Sequence, residues 1–259
     1  MITSKDNELI KSLSKLLTSP KYRREHSEFA AEGVRLCADG AQSGAEISWF
    51  IYTARAAEKY AAEFALLHSC CQKSCEISES LLKKIADTKS PQGFICVFKM
   101  NSSCFQVKKQ ERYLALESIQ DPSNMGTILR SAEAFGISGV IVSGDCCDIY
   151  SPKVVRGSMG AVFRLPIIQE ENFSEYIRDL TAKRIFTYAS TPRNADDIET
   201  IDFSNGGVLL IGNEGNGLKE ETINACYQRI CIRMNGRAES LNASAAAAVL
   251  LYRLCVDKA

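Results

Sequence analysis

The chain carries no excess charge: 31 Lys and Arg stand against 31 Asp and Glu in 259 residues. That balance excludes a molecule that coats nucleic acid by bulk electrostatics, so contact with a polyanion must come from local patches. Long apolar runs are also absent. The longest near the carboxyl end, Ala245 to Tyr252, falls far short of the ~20 residues of a membrane span. The first residues, Met1-Ile2-Thr3-Ser4-Lys5-Asp6, lack the apolar stretch of a secretion signal. The eleven cysteines are therefore expected as reduced thiols of a cytoplasmic protein, most of them small buried hydrophobes. Paired zinc ligands are missing too. His68, Cys70, Cys71 and Cys75 cluster, but zinc sites pair C-x2-C with a second pair farther on, so no metal is expected. Neither a G-x-G-x-x-G with a downstream acid nor a P-loop occurs, which argues against an ordinary dinucleotide or nucleoside triphosphate enzyme.

What is present is an alternation of helix and strand signals, interrupted once. Leu9, Ile10, Leu13, Leu16 and Leu17 share one helical face, and Ser19-Pro20 ends that helix or starts a turn. Strands are expected at 29–31, 47–52 and 93–98, and helices after Gly33, over 54–67 and over 79–86. The polar stretch Asn101 to Glu111 reads as a linker, which divides the chain into domains 1–106 and 107–259. Beyond it, strands are expected at 113–117, 140–142, 185–189, 208–211 and 230–232. Helices are expected at 124–135, 154–159, 173–181, 219–225 and 242–256, with Gly136 as a helix stop. Such alternation predicts an α/β fold with a mainly parallel sheet, whose ligands sit at the carboxyl ends of the strands.

Three polar loops fall at that edge. Gly212-Asn213-Glu214-Gly215-Asn216-Gly217-Leu218 follows an apolar strand. Its glycines permit a sharp turn and close approach to a ligand, while Glu214 would repel a phosphate. By itself the segment also fits a solvated turn. Asp121-Pro122-Ser123-Asn124 is turn and cap chemistry ahead of a helix bearing Arg130. That arginine either pairs with a surface acid such as Glu133 or grips a phosphate. Ile232 to Ser244 places Ser240 and Asn242 just before an alanine-rich helix. A helix cap explains Asn242 or Ser240 but not the whole polar loop. Two stretches are locally basic: residues 1–26, with six cations against three acids, and Ser151 to Arg164, with Lys153, Arg156 and Arg164 and no acid. Both favour a polyanionic partner.

In this order and spacing the three loops resemble the SpoU-type RNA 2′-O-ribose methyltransferases of the SPOUT superfamily. The residues that carry the resemblance are Asp121-Pro122-x-Asn124-x-Gly126-Thr127-Ile128-Leu129-Arg130, Gly212-Asn213-Glu214-Gly215-x-Gly217-Leu218, and Ile232-x-Met234 followed by Ser240-Leu241-Asn242-x-Ser244. The first domain resembles the family's L30e-like substrate-binding unit through Lys21-Tyr22-Arg23, Glu32-Gly33 and Ser90-Pro91-Gln92-Gly93. Arg233 stands where the family usually has proline, and Ala243 where it has valine.

The resemblance implies a C-terminal α/β domain with a deep trefoil knot, a smaller N-terminal L30e-like α/β domain, and a homodimer. It implies S-adenosylmethionine as cofactor and methylation of a ribose 2′-hydroxyl in structured RNA, ribosomal RNA before transfer RNA. A catalytically silent RNA-binding module is the alternative. Arg130, Asn124, Glu214, Ser240 and Asn242 are the implied catalytic set. Gly212, Ile232, Met234 and Leu241 are implied to hold the cofactor. Lys21, Arg23, Arg24, Lys153 and Arg156 are the expected RNA contacts.

Overall fold

The computed structural model describes residues 1–101 and 104–256. It divides into two compact units: Met1–Ser102 with Asp148–Arg164, and Ser103–Cys147 with Leu165–Ala259. In chain order the elements are α1 (Glu8–Thr18), α2 (Pro20–His26), β1 (Glu28–Glu32), α3 (Val34–Gln42), β2 (Ile47–Tyr52), α4 (Ala54–Lys59), α5 (Ala61–Cys70), β3 (Cys71–Glu76), α6 (Glu79–Ile85) and β4 (Phe94–Lys99). After the linker come β5 (Arg112–Leu116), α7 (Pro122–Ala134), β6 (Gly139–Ser143), α8 (Pro152–Gly157), α9 (Ala161–Arg164), β7 (Ile167–Glu170), α10 (Phe173–Ala182), β8 (Thr187–Ser190), β9 (Asp196–Asp197), β10 (Gly207–Ile211), α11 (Glu220–Ala225), β11 (Gln228–Cys231) and α12 (Ala243–Cys255).

The first unit is a four-stranded sheet in the order β1-β4-β2-β3, antiparallel except for the β2–β3 pair. Phe29, Phe50, Phe94 and Phe98 form one core with Val155, Val162 and Phe163. Ile10, Leu13 and Leu16 of α1 join Leu81, Leu82 and Ile95 in another. Ser19 serves two helices. Its N–H donates to the Lys15 carbonyl at 2.8 Å, closing α1, while its hydroxyl accepts from Tyr22 N at 3.2 Å, opening α2 at Pro20. The expected break is thus also a start. The single helix expected over 54–67 is split at Tyr60. Strand β3 was not expected; it is polar and lies at the sheet edge, so it shows no apolar period.

Segment 148–164, expected in the second domain, packs within the first unit. The Tyr150 ring lies 4.7 Å from that of Phe29, and the Phe163 ring 4.7 Å from that of Phe98. A surface loop would not deliver those aromatics; their burial decides where the segment lies.

The second unit is a seven-stranded, wholly parallel sheet in the order β7-β6-β5-β10-β8-β11-β9. Strands β5, β6 and β10 read as almost unbroken apolar runs because both faces are covered. Helices α10 and α11 bury Phe173, Ile177, Leu180 and Ala225 on one face. Helix α7 buries Met125, Ile128 and Leu129 completely, each contributing about 1.5–3 kcal/mol. Helix α12 packs on α7 and β10. Gly136 stops α7 with a left-handed φ of +72°, and Ile137 N returns to the Ala132 carbonyl at 3.0 Å. Among the described residues no helix is long and apolar enough to cross a membrane.

Candidate active site

All three polar loops leave carboxyl ends of strands in the second unit: 117–121 follows β5, 212–218 follows β10, and 232–242 follows β11. The 212–218 loop is a tight hairpin-like turn, with Asn213 N and Gly217 O 3.0 Å apart and Gly217 N and Asn213 O 2.9 Å apart. Its closeness dictates Gly212: a Cβ there would lie 2.2 Å from both the Gly217 carbonyl carbon and Leu218 N. The turn also aims Glu214 back at the first loop. Glu214 accepts from Gln120 N at 3.3 Å, Asp121 N at 3.1 Å, Asn124 Nδ2 at 3.0 Å and Asn213 Nδ2 at 3.4 Å. Burial opposes its ionisation, but the Asn124 amide and these backbone N–H groups outweigh it and hold the carboxyl below its ordinary pKa. Its partners are neutral donors, so the carboxylate organises the first loop.

Asn124 carries the contact onward. It is buried at 8% exposure in the first turn of α7, and its Oδ1 accepts from Asn242 Nδ2 at 3.0 Å. Asn242 is also the cap of α12; its Oδ1 accepts from Ser244 N at 2.9 Å, Ser244 Oγ at 2.6 Å and Ala245 N at 3.4 Å. Glu214, Asn124 and Asn242 therefore form one hydrogen-bonded chain across all three loops. The residue that caps α12 is the same one that ties it to Asn124.

Beside this chain lies a cavity of about 340 Å³ lined by Ile232, Met234, Ser240 and Leu241 together with Ile230, Cys231 and Leu250. Its size falls within the ~300–1,000 Å³ of small-molecule sites. Residues 234–241 make no backbone hydrogen bond among the described residues, leaving their N–H and C=O groups open to a ligand. Gly212 does not line this cavity; it shapes the neighbouring turn instead. The sequence reading missed Ser190, Thr191 and Pro192, which also line it. Ser190 ends β8 and Thr191 and Pro192 follow it, just past the expected span of 185–189, so their position at the carboxyl edge was the available signal.

Arg130 lies on α7, exposed, with no hydrogen bond or ion pair among the described residues. Among the described residues it does not pair with Glu133, and neither Asn124, Glu214, Ser240 nor Asn242 hydrogen-bonds to it. Ser240 is exposed at the rim of the cavity.

The five residues expected to contact RNA all fall in the first unit, but not all are available. Arg23 is 2% exposed. Its guanidinium pairs with Asp148 at 2.7 Å and donates to the Leu16 carbonyl at 2.5 Å. It is a structural residue, because burial removes it from any ligand. Arg156 pairs with Asp87. Lys21 is exposed, 3.8 Å from Glu25, and Arg24 is exposed and unpaired among the described residues. Lys153 is exposed and has an interaction of its own.

A parallel sheet with a cofactor-sized cavity and a polar loop cluster at its carboxyl edge defines a small-molecule-dependent α/β enzyme. Comparison with known proteins narrows the class. Residues 111–252 match the SpoU rRNA methylase family, and residues 7–96 match the MRM3-like substrate binding domain. The chain belongs to the SpoU rRNA methylase family. It is 31% identical to an uncharacterized tRNA/rRNA methyltransferase of Synechocystis over 97% of this chain and 92% of the relative. It is also 31% identical to the 23S rRNA (uridine(2479)-2′-O)-methyltransferase of Streptomyces viridochromogenes, over 92% and 85%. Among solved structures, an AdoMet-bound rRNA methyltransferase from Sinorhizobium meliloti is 32% identical with a TM-score of 0.86, covering 98% of this chain and 96% of that one. The SpoU methyltransferase AviRb from Streptomyces viridochromogenes, in complex with AdoMet, is 27% identical with a TM-score of 0.87, covering 96% and 97%.

Proposed function

We propose that this protein transfers a methyl group from S-adenosylmethionine to a ribose 2′-hydroxyl of ribosomal RNA. The observation that carries the reading is the Glu214–Asn124–Asn242 chain beside the cavity, in a chain of the SpoU family over residues 111–252. The cavity suits the cofactor: Ile230, Ile232, Leu241 and Leu250 give apolar walls, Ser190, Thr191 and Ser240 give polar edges, and the unbonded backbone of 234–241 can pair with a purine ring. S-adenosylmethionine supplies an activated methyl on a sulfonium.

The protein's own task is to place the hydroxyl in line and to support the charge that develops as its proton leaves. Arg130, exposed and with no ion pair among the described residues, is the cation at this edge suited to that work. A guanidinium stays protonated, so its role is to clamp the adjacent phosphate and stabilise the alkoxide rather than to take the proton. Asn124, Glu214 and Asn242 act indirectly, by fixing the start of α7 that carries Arg130. Ser240 at the cavity rim faces the acceptor sugar. Lys21, Arg24, Lys153 and Arg156 contribute to RNA binding in the first unit. The protein works as a homodimer: Val249 and Tyr252 of α12 and Val256 just past its end are 41%, 55% and 41% exposed, an apolar stripe that a second copy covers. The chain end is knotted. What supports this reading is that the 232–242 segment leaves β11 and brings Asn242 to Asn124, which follows β5, a strand separated from β11 by β8 and β10 in the sheet order.

The test is Arg130→Ala. S-adenosylmethionine binding measured by calorimetry should persist, while methyl transfer to ribosomal RNA collapses. Transfer near the wild-type rate refutes the role of Arg130. Failure of the wild-type protein to bind the cofactor refutes the function.

A further inference from the structure

We infer that Asp145 is a positioning residue for this reaction, holding Ser118 in a left-handed backbone conformation and thereby aiming the 118–121 loop and α7. The inference rests on the function proposed above. Ser118 is the hinge residue where the chain leaves β5 for the Asp121-Pro122 turn, and its φ is +55°. A serine in that region is strained and persists only where its surroundings over-determine it. Each of its polar groups is engaged. Its N–H donates to Ser143 Oγ at 2.9 Å, its hydroxyl donates to Asp145 Oδ2 at 2.6 Å, and its carbonyl accepts from Asn213 Nδ2 at 2.8 Å. Ser143 Oγ in turn donates to Asp145 Oδ1 at 2.5 Å.

Asp145 thus takes one hydroxyl on each oxygen, and both lead to Ser118. Lys219 Nζ approaches the same carboxylate at 3.3 Å. Two further bonds sew the 145–147 turn to the same loop: Gln120 Nε2 to the Asp145 carbonyl at 2.6 Å, and Cys147 N to the Ile119 carbonyl at 2.8 Å. The next two backbone N–H groups, of Gln120 and Asp121, are those that grip Glu214. Asp121 then caps α7 through Ser123 N at 2.6 Å. A shift at Ser118 therefore moves the Glu214 contacts and the helix carrying Asn124 and Arg130 together. Asp145 lies outside the cofactor cavity, so its loss leaves the cavity's walls in place.

The experiment compares Asp145→Ala, the double variant Asp145→Ala with Ser118→Gly, and the wild type. Glycine adopts positive φ without strain, so it replaces the clamp rather than the carboxylate. Asp145→Ala should lower kcat at least about tenfold while the cofactor Kd stays within about twofold, and the double variant should regain most of that loss. Hydrogen exchange of the Gln120 and Asp121 amides should quicken in Asp145→Ala and slow again in the double variant. Should Asp145→Ala fold poorly, Asp145→Asn keeps the shape and weakens the charge-assisted bonds, and should show a smaller loss of both kcat and Tm than Asp145→Ala. A kcat within about twofold of wild type, cofactor affinity falling in step with kcat, or no rescue by glycine overturns the inference. An inactive wild type would refute the proposed function, and amide exchange alone would then decide the clamp.

Discussion

Asn124→Ala should uncouple the three loops. Asn124 donates to the Glu214 carboxylate at 3.0 Å and accepts from Asn242 at 3.0 Å. A hydrogen bond to a charged group contributes about 1.5–3 kcal/mol and a neutral one about 0.5–1.5 kcal/mol. Glu214 keeps its two backbone donors, and Asn242, being exposed, replaces its lost partner with water. The neutral bond therefore adds little, and the net loss is about 1.5–3 kcal/mol. If the loops must be aligned only when the methyl moves, kcat falls roughly 10–150-fold with little change in KM. The assay is transfer of labelled methyl from S-adenosylmethionine to ribosomal RNA. A double-mutant cycle with Glu214→Gln isolates the pair. Additive effects, or a kcat within about twofold of wild type, would refute the coupling.

Three other outcomes are expected. Arg23→Ala strands Asp148 in a largely buried position and should cost about 3–5 kcal/mol of stability, measured by chemical denaturation. Reduced RNA affinity at full stability would show Arg23 to be a contact after all. Gly212→Ala puts a methyl 2.2 Å from backbone that cannot yield. It should cost about 1–3 kcal/mol or more and abolish methyl transfer; a thermal melt and activity at wild-type values would refute the close approach.

Stability should also fall in acid. Burial alone would raise the Asp145 carboxyl, but the Ser118 and Ser143 hydroxyls and the Lys219 ammonium outweigh it and bring it to about 2. Glu214 is lowered as well. Depressed carboxyls stabilise the folded state above their unfolded values of about 4, and that contribution is lost as pH drops toward 2. Melting temperatures of the wild type and Asp145→Asn should converge over that range; parallel curves would contradict the assignment.

The carboxyl-edge placement of the three loops was legible because strand periodicity and turn residues are local. So was the stop at Gly136, whose left-handed φ is written into one residue. The edge strands β3 and β7 were not, since half-exposed polar strands such as Cys71–Glu76 show no apolar period. Nor was the fate of Arg23, an arginine in a basic run that burial turned into a brace. Whether a cation faces solvent depends on an acid 125 residues away in sequence, and composition cannot show that. Asp145 escaped notice for the same reason: its partners Ser118 and Lys219 come from distant stretches and meet only in the folded sheet.

Segment 234–241 hangs between two fixed posts, the end of β11 and the Asn242 cap, without a backbone bond of its own among the described residues. A ligand that enters there breaks none of the protein's internal bonds, and a spent one leaves without their having to re-form. The donors and acceptors of this wall are left over from folding, so they are available to whatever it holds.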